Sequence, residues 1–464
     1  MLSTAINKSV SPPTDKQNGR FYQAVWRWHY YAGLLVMPFM LILLLSGLLM
    51  LLSKPPESLF AQSSIQVEEN AKPLPASQLL AKVRQHYPDA SVKLYIAPHN
   101  ASSAAQFYLQ PAAHHQGGHA GHGAGGEQVF IHPYNGEILA SQQPAHSLYN
   151  WLKDLHGSLF LGKLGDALIE TAAGLGILMV LSGLYLAWPR TGWRALSINL
   201  RPASRSQWRQ VHKVVGLLVT LPLLFFLLSG LAWTNVWGGM LVQPWGSLPG
   251  TSFKGAKSAQ QHQSMNHTGM HQVPWAMEQT LMPASASGPQ TLELDQVIAI
   301  AAQQGLSSYR VHFPLDDSGV WTISATTMAG DINNPLQERI VHLDKSNAAV
   351  LADIRFADYP LMGQAMAASI PFHQGDLGVW NWLLNVLLVC LILLLSISGL
   401  ILWWKRRPKR RALAAPPPAR PSYSKVAAGL MLLAALCFPL SALAILMIIT
   451  LDWLVMSRRL ALAW

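Results

Sequence analysis

Two long apolar stretches of this chain begin with the same histidine motif, and this repeat constrains the fold more than any other feature. His29 lies four residues before a Gly-Leu-Leu-Val sequence and seventeen before a Ser-Gly-Leu sequence, and His212 has the same two spacings. An ionisable side chain at the end of a membrane helix is costly and therefore suggests a function. The repetition predicts that both histidines share one.

The composition is that of a membrane protein. Hydrophobic residues make up 51% of the 464 residues and charged residues only 12%. Runs of about 20 apolar residues are long enough to cross a bilayer as helices. The net charge of +11 is concentrated beside these runs, which argues against a nucleic-acid partner. Cys390 and Cys437 lie inside apolar runs, so we expect neither a disulfide framework nor cysteine-bound iron.

The distribution of lysine and arginine predicts the orientation of the chain. Two short basic loops contain no acidic residue, whereas two long polar regions are mixed in charge, so the loops are predicted to be cytoplasmic and the long regions periplasmic. We expect a multi-pass protein of a bacterial inner membrane, surrounded by lipid, with a cytoplasmic N-terminus. The predicted order is a tail (1–24), a first membrane helix (25–52), a polar region (53–150), an amphipathic lead-in with a second helix (151–189), a basic loop (190–208), a third helix (209–236), a second polar region (237–372), a fourth helix (373–404), a basic proline-rich linker (405–425) and a fifth helix (426–456).

The two polar regions share one pattern, a helix followed by alternating strands. The first contains a predicted helix at 75–87 and a hairpin at 128–139, and the second contains their counterparts at 294–304 and 339–351. The chain is therefore a repeat of helix, outer domain, helix. The predicted fold is an α-helical membrane protein: a pseudo-two-fold repeated four-helix bundle, a fifth C-terminal helix and two small α+β extracytoplasmic domains.

Two further histidines precede the second and fourth helices, at the opposite membrane face. If an axis along the membrane normal relates the halves, His29 meets His212 and His156 meets His373. Neutral imidazoles on facing helices are good ligands for haem iron. We therefore predict two bis-histidine haem b groups, separated by about one helix length, roughly 30 Å. His146 is a rival ligand at the outer face but has no counterpart in the other half.

Several motifs carry a resemblance to a known family. They are Arg27-Trp28-His29, Leu155-His156-Gly157, Trp188-Pro189-Arg190, His212 with its Gly-Leu, and His373 with Gly375. Over about residues 20–407 the chain resembles the PepSY-associated transmembrane family, which includes bacterial inner-membrane ferric-siderophore reductases.

This resemblance implies PepSY-like outer domains and an oxidoreductase that passes electrons outward for iron uptake. Its substrate would be ferric iron, often bound to a siderophore, or another periplasmic metal. His156 and His373 would form the catalytic end, because they face the side where the metal arrives. The cytoplasmic segments are too short for a nucleotide-binding domain, so the electron donor would be external: quinol, flavin or a soluble reductase.

Both polar regions also contain histidine-rich segments. The first includes His114, His115, His119 and His122, and the second includes His262, Met265, His267, Met270 and His271. Methionine with histidine favours copper, especially Cu(I), whereas histidine alone suits copper, nickel or zinc. The other interpretation is a solvated low-complexity loop.

Two alternative functions remain open at this stage. One is a copper-linked metal reductase or metal-handling membrane protein. The other is a non-enzymatic membrane protein whose PepSY-like domains bind peptides or a protein partner, with purely structural histidines.

Overall fold

The structure is a computed structural model that describes residues 14–53, 65–69, 72–111, 126–188, 204–246, 255–267, 270–286, 288–289, 292–406, 433, 436–447 and 450. The chain forms two compact units. We call residues 1–45, 161–231 and 388–464 the helical unit, and residues 46–160 and 232–387 the sheet unit.

Long apolar helices dominate the helical unit. The helices of the described residues are α1 (Thr14–Ser53), α2 (Ala76–His86), α3 (Leu148–Ser158), α4 (Lys163–Ala187), α5 (Arg205–Leu231), α6 (Gln243–Gly246), α7 (Leu294–Gln303), α8 (Leu361–Gln374) and α9 (Val379–Arg406). Among them α1 from Phe21, α4, α5 and α9 are long and apolar enough to cross a membrane. Pro38 and Pro222 lie within α1 and α5, as membrane helices permit when neighbouring groups satisfy the freed carbonyls.

The predicted fifth helix, 426–456, falls mostly outside the described residues. Residues 439–447, which are described, are helical. Ser441 in this stretch donates a hydrogen bond of 3.0 Å to the backbone carbonyl of Thr171 on α4. The C-terminal stretch therefore packs directly on a membrane-length helix of the helical unit.

An eight-stranded antiparallel sheet forms the core of the sheet unit. Its strands, in spatial order, are β10 (Val350–Arg355), β9 (Arg339–Leu343), β8 (Trp321–Ala325), β7 (Arg310–His312), β1 (Ala90–Ile96), β2 (Ala105–Pro111), β3 (Glu127–Ile131) and β4 (Ile138–Gln142). A separate pair joins β5 (Lys257–Gln261) to β6 (Leu281–Pro283).

The two polar regions, which the sequence predicts as two small domains, contribute the two halves of this one sheet. The first strand of each half, β1 and β7, pair antiparallel, with Tyr95 opposite Val311. The strand order is consequently symmetric about this junction. Without this pairing β1 and β7 would both be exposed edge strands, and the pairing leaves neither of them at an edge.

The two faces of the sheet are covered differently. On one face α2 and α7 pack against the strands, with Leu79, Val83 and Val297 among the buried residues. On the opposite face a second core contains Met265 and Met282 from the segment around β5 and β6. This second face therefore lies beneath the histidine- and methionine-rich segment.

Candidate functional site

His29 on α1 is held by the backbone and a hydroxyl of α4. Its Nδ1 lies 2.9 Å from the carbonyl oxygen of Met179 and 3.1 Å from Oγ of Ser182. A carbonyl only accepts hydrogen bonds, so Nδ1 carries the ring proton. The other nitrogen, Nε2, then keeps a free lone pair, which is the state required of a metal ligand.

His212 on α5 repeats this arrangement against α9. Its Nδ1 lies 3.2 Å from the carbonyl oxygen of Leu395 and 2.9 Å from Oγ of Ser398. Ser398 itself donates to the Leu395 carbonyl at 2.7 Å, as Ser182 donates to Met179 at 2.8 Å. The two imidazoles are therefore fixed in the same tautomer by repeat-related partners.

The structure brings these two histidines together. Their ring centroids are 6.4 Å apart and their planes are inclined by 76°. Two metal–imidazole bonds of about 2 Å, plus the distance from each nitrogen to its ring centre, require roughly 6 Å between centroids. The spacing thus fits one metal ion bound between the two rings.

Glycines of the Ser-Gly-Leu motifs provide space for these rings. A Cβ added at Gly183 would come within 2.8 Å of His29 Cε1, and one at Gly399 within 3.3 Å of His212 Cε1. Each motif therefore acts as a pair: the serine engages the imidazole Nδ1, and the glycine lets the ring lie against the helix.

A third Ser-Gly-Leu motif contacts His156 within the sheet unit. Oγ of Ser46 lies 2.9 Å from His156 Nδ1, and a Cβ at Gly47 would lie 3.3 Å from His156 Cε1. His156 occupies the last turn of α3, which begins at the N-cap Ser147 and ends where Leu159 adopts a left-handed conformation. The helix and its caps thus set the position of this histidine.

His373 lies in the last turn of α8, just before the left-handed Gly375 that ends the helix. Burial, and to a smaller extent the charge of His156, lowers the pKa of His373 to about 3. The ring is therefore neutral at ordinary pH.

Two buried asparagines near the start of α9 hold the end of α8. Asn385 Nδ2 donates to the carbonyls of Phe372, at 2.6 Å, and His373, at 3.1 Å. Asn381 Nδ2 donates to the Phe372 carbonyl at 3.0 Å. Neither residue was predicted from the sequence, although two amides four residues apart in an apolar helix would have been a usable signal.

Comparison with known families identifies the family of this chain. The sequence pattern described as the PepSY-associated TM region matches residues 26–406. The chain belongs to this family. A search of curated proteins finds no match. The resemblance inferred from the histidine motifs is confirmed at the level of the family.

Of the two histidine-rich segments of this PepSY-associated protein, the structure describes residues of the second only. His114, His115, His119 and His122 lie outside the described residues. Of the second segment, His262 and Met265 are buried, and His267 stacks on Tyr108 with ring centroids 4.4 Å apart. This part of the segment is folded against the sheet and is not a solvated loop.

The remaining predicted residues lie nearer the surface. Met270 packs beside Tyr108 and Leu94, and His271 Nδ1 is 3.9 Å from a carboxylate oxygen of Glu278. His146, the rival ligand, is exposed. Within the described residues, no group of three or more His, Cys, Asp or Glu side chains is arranged to hold a metal ion.

Proposed function

We propose that this protein is a transmembrane haem oxidoreductase with two bis-histidine sites. His29 and His212 would ligate one haem b, and His156 and His373 the other. The observation that carries the proposal is the 6.4 Å separation of the His29 and His212 rings, each with its Nδ1 engaged by a carbonyl and a serine. A purely structural histidine pair has no need for this repeat-related spacing and tautomer.

Bound haem would supply one-electron transfer at each site. At the first pair the protein contributes ligand orientation. The carbonyls of Met179 and Leu395 hold the Nδ1 protons, which raises the basicity of the opposite nitrogens. Gly183 and Gly399 leave the rings room against α4 and α9.

At the second pair the protein contributes a neutral and fixed ligand. Metal binding to histidine requires the deprotonated imidazole, and burial keeps the pKa of His373 at about 3. Asn381 and Asn385 fix the carbonyls next to His373 and so hold the end of α8. Ser46 orients His156 through its Nδ1.

The direction of transfer follows from the charge pattern of the sequence. With the basic loops in the cytoplasm of a bacterial inner membrane, His29 and His212 lie at the inner face, and the sheet unit projects into the periplasm. Electrons from quinol, flavin or a soluble reductase would enter at the inner pair. They would leave at the His156–His373 pair to reduce ferric iron, most simply as a ferric siderophore, for iron uptake.

Reduction by the purified protein tests this proposal. The detergent-solubilised protein, reduced with a limiting amount of dithionite, is mixed with a ferric siderophore, and ferrous iron is followed with a ferrous-specific chromophore. His373→Ala should slow ferrous iron formation at least tenfold, because it removes a ligand at the proposed exit site. His146→Ala, which changes an exposed histidine, should leave the rate unchanged.

Equal rates for His373→Ala and the unaltered protein would contradict the assignment of the exit site. If dithionite reduces neither protein, this chain would instead be a non-enzymatic membrane protein whose PepSY-like region binds a partner.

A further inference from the structure

A row of buried polar side chains crosses the face of the sheet opposite α2 and α7. His312 on β7 pairs with Thr322 on β8, and Thr322 pairs with His342 on β9. Residues directly opposite each other in antiparallel strands project from the same face. All three side chains are almost fully buried, and none of them belongs to the His29–His212 or the His156–His373 pair.

A third histidine, His262, is hydrogen-bonded to this row. His262 Nε2 lies 3.0 Å from His342 Nε2, and His342 Nδ1 lies 2.8 Å from the Thr322 hydroxyl. His262 Nδ1 donates to the Thr280 carbonyl at 2.9 Å. Burial lowers the pKa of both rings and keeps them neutral. His262 Nε2 is then the acceptor and His342 Nε2 the donor.

Two methionines and His312 line a small cavity beside this chain. Its lining includes Met265, Met282, His312 and Thr322, and its volume is about 10 Å³. A space of this size accommodates one water molecule or one small ion. His312 is almost fully buried, and its Nε2 lies 3.3 Å from Oγ of Ser324.

Polar groups form one wall of the cavity. Gln260 and Asp316 both line it, and Gln260 Nε2 donates to an Asp316 carboxylate oxygen at 2.6 Å. Asp316 is exposed. A cation can therefore approach through a surface carboxylate before it reaches the soft ligands inside.

The imidazole of His267, in the same segment as Met265, is incompletely satisfied. Within the described part of the chain, the buried Nε2 of His267 has no hydrogen-bond partner. Its ring stacks on Tyr108, with ring centroids 4.4 Å apart.

We propose that this cavity is a binding site for one Cu(I) ion, with the thioethers of Met265 and Met282 and the imidazole of His312 as ligands. Thioether sulfur and neutral imidazole select monovalent copper over harder ions such as Mg²⁺ or Ca²⁺. The hydrogen-bonded chain of His262, His342 and Thr322 reaches the cavity through Thr322. None of these residues is a proposed haem ligand.

Anaerobic titration with Cu(I) tests the site. The background protein carries His114→Asn, His115→Asn, His119→Asn and His122→Asn, which removes the other histidine-rich segment. Cu(I) is distributed between this protein and a chromophoric Cu(I) chelator, and the copper ligands are identified by X-ray absorption. We expect one tightly bound Cu(I) with sulfur among its ligands.

The double variant Met265→Leu/Met282→Leu should weaken Cu(I) binding at least about 100-fold, since loss of outer-shell partners alone typically costs 10–100-fold. Met277→Leu is the matched control, because Met277 is equally buried in the same core cluster but is not a proposed ligand. It should bind copper like the background protein.

Equal Cu(I) affinity in the double variant and the Met277→Leu control would overturn the site, as would an absorption spectrum without sulfur ligands. The haem absorbance of each variant is recorded in parallel. A change in copper binding at constant haem content separates this inference from the proposed oxidoreductase function.

Discussion

Burial of histidine side chains is the most consequential feature at the scale of single residues. His262 is fully buried, and burial lowers its pKa to about 4. Between about pH 4 and pH 6.5, His262 is therefore neutral in the folded protein but protonated in the unfolded chain, where its pKa is near 6.5. Stability from this residue is complete above pH 6.5 and is lost as the pH falls toward 4.

We expect the free energy of unfolding of the sheet region to fall by roughly 2 kcal/mol between pH 7 and pH 5 from His262 alone. Denaturant unfolding followed by tryptophan fluorescence measures it, because Trp321 lies in the core. His262→Gln should reduce this pH dependence by a similar amount, whereas the exposed His146→Gln should not. An unchanged pH profile for His262→Gln would contradict the buried neutral assignment.

At the scale of secondary-structure elements, the Ser-Gly-Leu motif links helix packing to histidine position. The motifs at Ser46, Ser182 and Ser398 each engage a histidine from another helix. Small residues generally allow membrane helices to approach closely. Here the glycine accommodates an imidazole in addition to a neighbouring helix.

Gly183→Ala should displace the His29 ring, because the new Cβ would lie 2.8 Å from His29 Cε1. Overpacking of this kind typically costs about 1–3 kcal/mol. We expect a lower thermal transition and loss of the haem proposed to bind at His29. The control Gly33→Ala adds a Cβ at an ordinary 3.7 Å from Met179 Sδ. Equal haem content in both variants would argue against this role of Gly183.

The joining of the two halves of the sheet could not be predicted from the sequence. Alternating hydrophobicity predicts strands such as β3 and β9 and the hairpins that contain them. It carries no information on which edge strands of different domains will pair. The β1–β7 junction, with Tyr95 opposite Val311, depends on contacts between residues more than 200 positions apart in the chain.

At the scale of the whole molecule, the internal repeat made much of the candidate site predictable. Identical spacing around His29 and His212 indicated a shared environment, and the structure gives them repeat-related partners in Ser182 and Ser398. The His262–His342 contact was not predictable, because its members lie 80 residues apart and only one belongs to a histidine-rich segment. Asn381 and Asn385 were missed because their partners are backbone carbonyls, which carry no sequence signature.

The repeat also implies that the two histidine pairs are separable. His29 and His212 belong to the helical unit, and His156 and His373 belong to the sheet unit. A change in one pair should therefore leave the haem of the other pair in place.

The ratio of haem to protein, measured by optical spectroscopy of the purified protein, shows whether this chain binds two haem groups. We expect two haem b groups per chain, with a Soret band that shifts on dithionite reduction. We expect one group in His212→Ala, one in His373→Ala and none in the double variant. A colourless protein from haem-sufficient cells, or an unchanged ratio in both single variants, would contradict the proposed haem sites.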